Sequence, residues 1–452
     1  MKTTYDVLVA GAGASGLCAA VAEAREGKRV LLLEQSGTVG GTNVQSLVGP
    51  LMGFHAGNMR AVGGIAQEIV NRLASRGGTL GHIPDPLGVA ATITPIEPEI
   101  LRQVYYEMLS RERNVTLLLS ARLTGAVREG KRVASVHAVM KGGEADFSAA
   151  VYIDATGDGD LAALAGAPYT VGREEDGLSQ PMTLVLKAAG VDLEKVRAYM
   201  AAWPDQFVLR QDADQIHYVA VSGFFEEVEK ARERGELTFP RDRVLFFQGV
   251  RQGEVTVNMG RVIRRSGTDA WDLTLAEQEG RRQVDEIMTF LRRHIPGFEK
   301  AYLAQTGAAI GVRESRHIQG CWTLSELDIQ SGAEREDAVA VGAFPIDIHD
   351  PLGKELYWTQ TAAPCYDVPY RVMLPRDFKN LLVTGRCVSA THVAAASVRV
   401  TPTAMALGEA AGIAAALARE GRTDEIDVPL LRQRIWEKGG VPGKKYMKED
   451  RI

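Results

Sequence analysis

The first 34 residues place apolar runs and a glycine-rich break in the order of a strand, a helix and a second strand. The run Val7 to Ala10 predicts a strand, Ser15 to Arg25 predicts a buried helix, and Val30 to Leu33 predicts the next strand. This order is typical of a βαβ unit, whose parallel strands belong to a sheet covered on both faces. The N-terminal pattern therefore predicts an α/β fold.

Apolar periodicity continues beyond this unit. Residues 61–76 and 97–113 have the spacing of amphipathic helices, and residues 115–140 alternate like a strand meander that turns at "EGK", residues 129–131. The segment 149–157, "AAVYIDATG", predicts a buried strand that ends in a glycine.

The sequence from about residue 173 to residue 310 is more charged and its pattern is mixed. Helical periodicity covers 192–202, 222–235 and 273–293, and the segment 254–262, "EVTVNMGRV", predicts a strand. We therefore predict that residues 1–172 and 311–452 form one Rossmann-like α/β domain. Residues 173–310 are predicted to form an inserted α+β domain that caps the site or holds the substrate.

A helix of small residues is predicted near the C-terminus, within residues 397–412, "SVRVTPTAMALGEAAG". Thr401 is the expected N-cap, and Pro402 suits the first helical position. Small side chains bury little apolar area. We therefore expect this helix to approach a ligand and its neighbouring helices closely.

Composition and charge narrow the class of partner. The chain of 452 residues has a formal net charge of -5 and no basic stripe, so we expect a small-molecule partner and no nucleic acid. The N-terminal apolar run is broken by glycines, unlike a signal peptide, which predicts a cytoplasmic protein. Residues 35–59 carry no charge, yet their glycines make a poor membrane helix, so a buried ligand is the expected cause.

The cysteines do not suggest a redox pair or a zinc site. Cys18, Cys321, Cys365 and Cys387 are far apart in sequence, without the spacing that either site requires. We expect four free, buried thiols.

The strongest motif is Gly-x-Gly-x-x-Gly at Gly11, Gly13 and Gly16, between a predicted strand and a predicted helix. The glycines permit a tight turn, close approach of a pyrophosphate and packing of the helix on the strand. Glu34 ends the next strand, where an acid accepts hydrogen bonds from an adenosine ribose and disfavours a 2′-phosphate. The motif predicts a dinucleotide and leaves NAD and FAD open.

Three later segments also carry glycines where backbone can approach a ligand. They are Gly40–Gly41, "DATGDGD" at 154–160 and "LLVTGR" at 381–386, the last two following predicted strands. A nicotinamide domain needs the first glycine motif alone, whereas a long, extended cofactor touches several such places. The sequence has no second Gly-x-Gly-x-x-Gly between a predicted strand and a predicted helix, so we expect no separate NAD(P)H domain.

These segments carry a resemblance that extends over almost the whole chain. With "GAGASG", "GGTNVQSLVGPLMGFHAG", "QPMT", "GVRESRHIQG", "FPIDIHDP" and "GRCVSATHVAAASVRVTPTAMALGEAAG", the chain resembles bacterial FAD-dependent oxidoreductases. That family has the glutathione-reductase-like two-dinucleotide-binding fold and is distantly related to fumarate reductase and succinate dehydrogenase flavoproteins. The resemblance implies FAD, with the helix from residue 402 directed at the flavin pyrimidine ring, where its N-terminus stabilises negative charge.

The resemblance also implies which residues bind the cofactor. Arg386 departs from relatives that carry an aspartate after the glycine at Gly385, and Thr42 or Asn43 stands where succinate dehydrogenases attach flavin to histidine. We therefore expect non-covalent FAD. The expected cofactor-binding residues are Gly11, Gly13, Ala14, Ser15, Gly16, Glu34, Gln35, Gly41, Thr42, Leu123, Ala155, Thr156, Gly157, Gly385, Arg386, Thr401 and Thr403.

Candidates for substrate chemistry are histidines and arginines in these segments. His392 and Arg399 are similar in placement to the substrate-binding pair of fumarate reductases, although their spacing differs. Arg313 and His317 are expected on one face of a strand, because alternate strand residues share a face. The catalytic candidates are His55, Arg313, His317, His392 and Arg399, with His349 as a further choice.

The sequence therefore predicts an oxidoreductase that exchanges a hydride equivalent between FAD and a small organic substrate. An external electron carrier is a further candidate partner, and no pattern specifies an oligomeric state. Two alternatives stay open: a flavin monooxygenase, and a non-catalytic electron-transfer subunit.

Overall fold

The computed structural model describes residues 3–210, 215–353, 356–359 and 363–450. Its main sheet has seven strands and begins with the predicted βαβ unit. Thr3–Ala10 pairs in parallel with Val30–Leu33 on one side and with Gly143–Asp154 on the other. In spatial order the strands are Val115–Leu118, Val30–Leu33, Thr3–Ala10, Gly143–Asp154, Arg132–Met140 and Ala121–Glu129, with Leu381–Val383 pairing beside Gly143–Asp154.

The last strand of this sheet comes from far along the chain. Leu381–Val383 pairs in parallel with the end of Gly143–Asp154, which aligns Val383 with Asp154, and Asp154 with Ala10. Three parallel strands therefore end side by side. Loops at such carboxyl ends are where α/β sheets bind ligands.

A second, antiparallel sheet is built from the charged middle of the chain. Its strands are, in spatial order, Ala220–Gly223, Val244–Gln248, Val255–Val257, Leu186–Ala189 and Tyr302–Thr306. Three helices pack on one face, namely Leu193–Ala202, Phe225–Glu233 and Ala270–His294. Phe246, Met288 and Phe298 belong to the core between these layers, which is separate from the core around the main sheet.

Further helices and short strands complete the described residues. The helices are Ala14–Arg25, Gly41–Gln45, Gly64–Ala74, Pro98–Arg111, Asp160–Leu164, Glu326–Gln330, His392–Val398, Thr401–Leu417 and Val428–Glu437. The paired short strands are Leu51–Met52 with Ile83–Pro84 and Thr92–Thr94; His55–Ala56 with Met59–Arg60 and Lys448–Glu449; Tyr169–Val171 with Arg316–Ile318; Ala338–Gly342 with Tyr366–Pro369; and Ile346–His349 with Leu356–Thr359.

The helix of small residues packs against the helix of the glycine motif. A Cβ at Gly408 would lie 2.1 Å from the carbonyl oxygen of Ser15, and one at Gly412 would lie 2.5 Å from that of Ala19. Backbone therefore meets backbone along this helix pair. Close packing of the two helices explains the small residues, as the sequence suggested.

Local details differ from the sequence-based expectations. Thr401 is the first helical residue and not the N-cap, which is Val400, and the Thr401 hydroxyl accepts from the Asn43 side chain instead of capping the helix. Cys321 is exposed, whereas Cys18, Cys365 and Cys387 are buried, and all four are free thiols.

Across the described ranges, no single helix combines the length and apolar composition needed to cross a membrane. The pair His392–Val398 and Thr401–Leu417, bent by 88°, meets both criteria when its two helices are taken together.

Candidate active site

One elongated cavity of ≈ 370 Å³ runs across the carboxyl ends of the three parallel strands. We call the part lined by Glu34 and Leu123 the outer end and the part lined by Arg313 and Arg399 the inner end. Most of the residues expected to bind the cofactor line this cavity: Gly11, Gly13, Ala14, Ser15, Glu34, Gln35, Gly41, Thr42, Leu123, Ala155, Thr156, Gly157, Gly385, Arg386 and Thr401. Segments more than 370 residues apart in sequence thus meet in one cavity.

The three glycines of the motif have different steric roles. A Cβ at Gly11, where φ is 96°, would lie 2.4 Å from the carbonyl oxygen of Ala155, and one at Gly16 would lie 1.9 Å from the Gly11 oxygen. These two glycines permit the turn and the close packing. A Cβ at Gly13 would meet Gly41 Cα alone, at 3.7 Å, so Gly13 leaves room for a group in the cavity. The arrangement fits a pyrophosphate beside the backbone.

Glu34 is 7% exposed at the end of its strand and lines the cavity. Its Oε2 accepts a hydrogen bond from the Ala12 amide at 2.8 Å, and its Oε1 accepts one from the Ser36 amide at 2.8 Å. The carboxylate is therefore held in one orientation and ties the glycine turn to the second strand. Each oxygen keeps a further lone pair for a ribose hydroxyl.

The N-terminus of the helix Thr401–Leu417 lies at the cavity wall. Val400, Thr401 and Ala404 line the cavity. The Asn43 side-chain amide donates to Thr401 Oγ1 at 3.1 Å, and the Ser15 and Thr384 hydroxyls lie 2.8 Å apart. These two contacts connect the C-terminal segment to the glycine-rich N-terminal segment. A helix N-terminus carries partial positive charge, so this wall favours a ligand with negative charge.

A buried carboxylate shapes the "DATGDGD" turn. Asp154 accepts hydrogen bonds from the Thr156 amide at 3.0 Å, the Thr156 hydroxyl at 2.7 Å and the Ala162 amide at 2.8 Å. Burial raises the pKa of Asp154 to about 6, although these hydrogen bonds oppose the effect. Asp154 thus positions the lining residues Ala155 and Gly157, a role that the sequence did not reveal.

Arg386 is fixed by protein groups at the cavity wall. Its guanidinium donates to Asp158 Oδ1 at 2.6 Å and to the carbonyl oxygen of Val312. Arg386, which stands where the resemblance implied an aspartate, forms an ion pair with Asp158.

The inner end of the cavity brings charged residues together. Arg313 donates to the Pro181 oxygen at 2.6 Å, to Thr183 Oγ1 at 2.7 Å and to Asn258 Oδ1 at 3.0 Å. Arg399 lies 3.8 Å from Asp347 Oδ2, across the same end. Asp347 belongs to "FPIDIHDP", the segment in which His349 was the catalytic candidate from the sequence.

His349 lines the cavity, with both ring nitrogens engaged. Arg261 donates to its Nδ1 at 2.8 Å, so Nδ1 is an acceptor and the ring proton lies on Nε2, 3.3 Å from Asp347 Oδ2. Burial lowers the pKa of His349, and the charge of Arg313 lowers it further. His349 is therefore neutral and aligns Asp347.

Three histidine candidates do not line the cavity. His55 lies between Thr92 Oγ1 and Asp450 Oδ2, at 2.9 and 3.0 Å. His317 Nε2 and His392 Nδ1 contact the same oxygen of Glu314, at 2.9 and 2.8 Å. Burial raises the pKa of Glu314, yet the hydrogen bonds from these two histidines outweigh it and lower that pKa to about 2.

Arg313 and His317 do not share one strand face, because the strand begins at Arg316. Gly16 and Thr403, expected to bind the cofactor, are also absent from the cavity lining. Gly16 packs against Gly11, and Thr403 is buried in its helix. The catalytic role of His55, His317 and His392 stays a prediction.

The second sheet supplies an apolar wall of the cavity that was not predicted from the sequence. Leu245 and Phe247 line the cavity, whereas Val244 and Phe246 point into the core beneath the sheet. This alternation follows from the period of two in a strand. The run of apolar residues was the available signal, although it does not show which face a ligand meets.

Comparison with known proteins identifies a family. The model of a family described as "FAD dependent oxidoreductase" matches residues 6–435. No curated protein sequence matches the chain.

Solved structures with a similar fold are remote in sequence. A flavin-dependent brominase is 12% identical, with a TM-score of 0.51 over 96% of this chain and 83% of its own. A p-nitrophenol 4-monooxygenase from Pseudomonas putida is 14% identical, with a TM-score of 0.47 over 97% and 81%. A geranylgeranyl bacteriochlorophyll reductase-like protein from Thermoplasma acidophilum is 14% identical, with a TM-score of 0.46 over 97% and 83%.

Proposed function

The chain belongs to the family of FAD dependent oxidoreductases, and on that premise we propose that it exchanges a hydride equivalent between non-covalently bound FAD and a small organic substrate. The observation that carries the proposal is the continuity of the cavity. One cavity joins the glycine motif to an inner end lined by Arg313 and Arg399. FAD, when bound, supplies the redox chemistry, and the protein supplies binding, orientation and exclusion of water.

We assign the cofactor to the outer and middle parts of the cavity. Gly13 leaves room for the pyrophosphate, Glu34 accepts from the ribose, and Thr401 begins the helix that favours negative charge on the flavin ring. Thr42, in place of a histidine, lines the cavity. His349 is the one histidine among the described lining residues, and its ring is held by Arg261, which supports a non-covalent link.

The substrate, in this proposal, lies at the inner end, beneath the second sheet. Residues 173–310 then form the substrate or cap domain, and the remaining segments form the glutathione-reductase-like FAD domain that the sequence suggested. Phe247, from the second sheet, and Arg399, from the C-terminal segment, both line this cavity. The distant relationship to fumarate reductases and the cytoplasmic location stay predictions.

Arg399 is the residue to which we assign substrate binding. Its Nε has no hydrogen-bond partner, and its Nη2 contacts to Gln180 Oε1 and to the Asp347 carbonyl oxygen are long, at 3.5 and 3.4 Å. The Nε is enclosed by protein, whereas the Nη2 end, with long contacts, keeps donor capacity for a substrate oxygen. A charged pocket of this kind also counts against a non-catalytic electron-transfer subunit.

Anaerobic reduction of the flavin tests the proposal. The purified protein is mixed with hydroxy acids, amines, polyols and ketosteroids, and bleaching of the flavin absorbance is followed. Reduction by one substrate class without oxygen supports a dehydrogenase. Reduction by NAD(P)H alone, with a hydroxylated product after oxygen is admitted, supports the monooxygenase alternative.

Two variants then assign the residues, with the substrate that the screen identifies. Arg399→Lys should retain FAD and slow flavin reduction at least ~100-fold, because a lysine cannot replace a bidentate contact. His392→Ala tests the remaining histidine prediction separately, since its imidazole contacts Glu314. Loss of FAD together with normal reduction per bound flavin would assign either residue to structure.

A further inference from the structure

The inner end of the cavity holds more positive than negative charge. Arg313 and Arg399 line it, and Arg241 and Arg261 lie behind them, 2% and 1% exposed. Among the described residues, Asp347 is the carboxylate that lines this end of the cavity.

The neighbouring acids Asp242 and Glu314 compensate part of this charge and also have other partners. Asp242 pairs with the adjacent Arg243, through contacts of 3.0 and 2.6 Å. Glu314 accepts from His317 and His392, and its other oxygen accepts from the Gln180 amide at 2.8 Å. His349 is neutral, so it does not change the balance of charge. Among the described residues, the charges of Asp242, Glu314 and Asp347 act on these four guanidiniums, so the positive charges outnumber the negative ones by one.

Buried cations are costly unless an anion or a full set of hydrogen bonds compensates them. Arg241 Nη2 and Arg399 Nε have no hydrogen-bond partner. Burial lowers the pKa of Arg313 to about 9, and the charge of Arg399 contributes in the same direction. A bound anion would relieve this repulsion, and Arg399, a lining residue, holds its Nη2 by long contacts of 3.4, 3.5 and 3.8 Å.

Apolar side chains line a further part of the inner cavity. The lining residues in this part are Met52, Leu87, Val89, Val185, Leu245 and Phe247. Among them Leu87, Leu245 and Phe247 belong to one hydrophobic cluster, against which Met52 and Val89 pack. None of these side chains is charged, so this wall offers no partner to a second anionic group.

We propose that the substrate is a carboxylate with an apolar, aromatic or branched body, whose single anionic group lies against Arg399 and whose body lies against Phe247. The proposal rests on the proposed function, because it takes the inner cavity as the substrate position. It differs from a dicarboxylate site, which would need cations at both ends.

Binding to the FAD-loaded protein tests this class without any turnover. Phenylacetate, phenylacetamide, acetate and succinate are titrated while the flavin absorbance and the melting temperature are recorded. Phenylacetate should bind at least ~10-fold more tightly than each of the other three. Equal binding of the amide, tighter binding of succinate, or no binding of phenylacetate would overturn the proposal.

Paired variants locate the two parts of the ligand. Arg399→Gln should weaken phenylacetate at least ~10-fold and leave phenylacetamide unchanged, whereas Phe247→Ala should weaken phenylacetate and leave acetate unchanged. Arg292→Gln, at an exposed position of Ala270–His294, is the control and should change neither. An Arg399→Gln protein that lost FAD would leave the Phe247→Ala comparison to decide.

The outcomes separate this inference from the proposed function. Selective binding of phenylacetate without flavin reduction by any compound would leave the ligand class intact and refute the hydride exchange. Flavin reduction by a neutral substrate, with equal binding of amide and acid, would support the hydride exchange and refute the proposed ligand class.

Discussion

Glu409 should make the stability of the protein depend on pH between the acid range and neutrality. It is 3% exposed within Thr401–Leu417, and its Oε2 accepts a hydrogen bond from the Ile65 amide at 3.0 Å. Burial raises its pKa from an ordinary value of 4.5 to about 7, against the opposing effect of the Ile65 hydrogen bond.

The sign and the size follow from proton linkage. The folded protein binds this proton more tightly than the unfolded chain does, so the stabilisation is complete below pH 4.5 and is lost as the pH rises to about 7. At about 1.36 kcal/mol for each pH unit, the difference amounts to ~3 kcal/mol. Most of it, ~2–3 kcal/mol, should disappear between pH 5 and pH 8.

Urea unfolding of the FAD-saturated protein at several pH values measures this effect. The Glu409→Gln variant keeps an oxygen for the Ile65 amide and has no titrating group, so its stability relative to wild type should rise by ~2–3 kcal/mol from pH 5 to pH 8. Glu229→Gln, at an exposed position of Phe225–Glu233, is the control and should follow wild type. Parallel profiles for wild type and Glu409→Gln would refute the assignment.

Two further predictions concern the cofactor end of the cavity. Gly408→Ala places a Cβ 2.1 Å from the Ser15 oxygen and should cost ~1–3 kcal/mol of stability while weakening FAD, because the helices must separate beside the Ser15–Thr384 contact. An unchanged urea midpoint and FAD affinity would contradict this packing argument. Glu34→Ala leaves the Ala12 and Ser36 amides without their acceptor and should weaken FAD by ~1–3 kcal/mol, measured by fluorescence titration; equal affinity would show that Glu34 does not serve the ribose.

Features set by local spacing were predictable from the sequence. The βαβ unit, the glycine turn at Gly11 and the acid at Glu34 depend on residues within one supersecondary unit, and the structure has all three. Val30–Leu33 has the predicted bounds, and the predicted helix over 273–293 extends by a few residues to Ala270–His294. The family match bears out FAD as the cofactor, which several glycine-ended strands suggested together.

Contacts between segments that are far apart in sequence were decided by the tertiary structure alone. Asn43 lies beside Thr401, and Arg261 holds His349, although 358 and 88 residues separate these pairs. His392, the first residue of the helix His392–Val398, contacts Glu314 and does not line the cavity. Periodicity reports which face of an element is buried, but it carries no information on which distant element packs there. The glycine motif could therefore be recognised from the sequence, whereas the charged inner end of the cavity exists only where four separate segments meet.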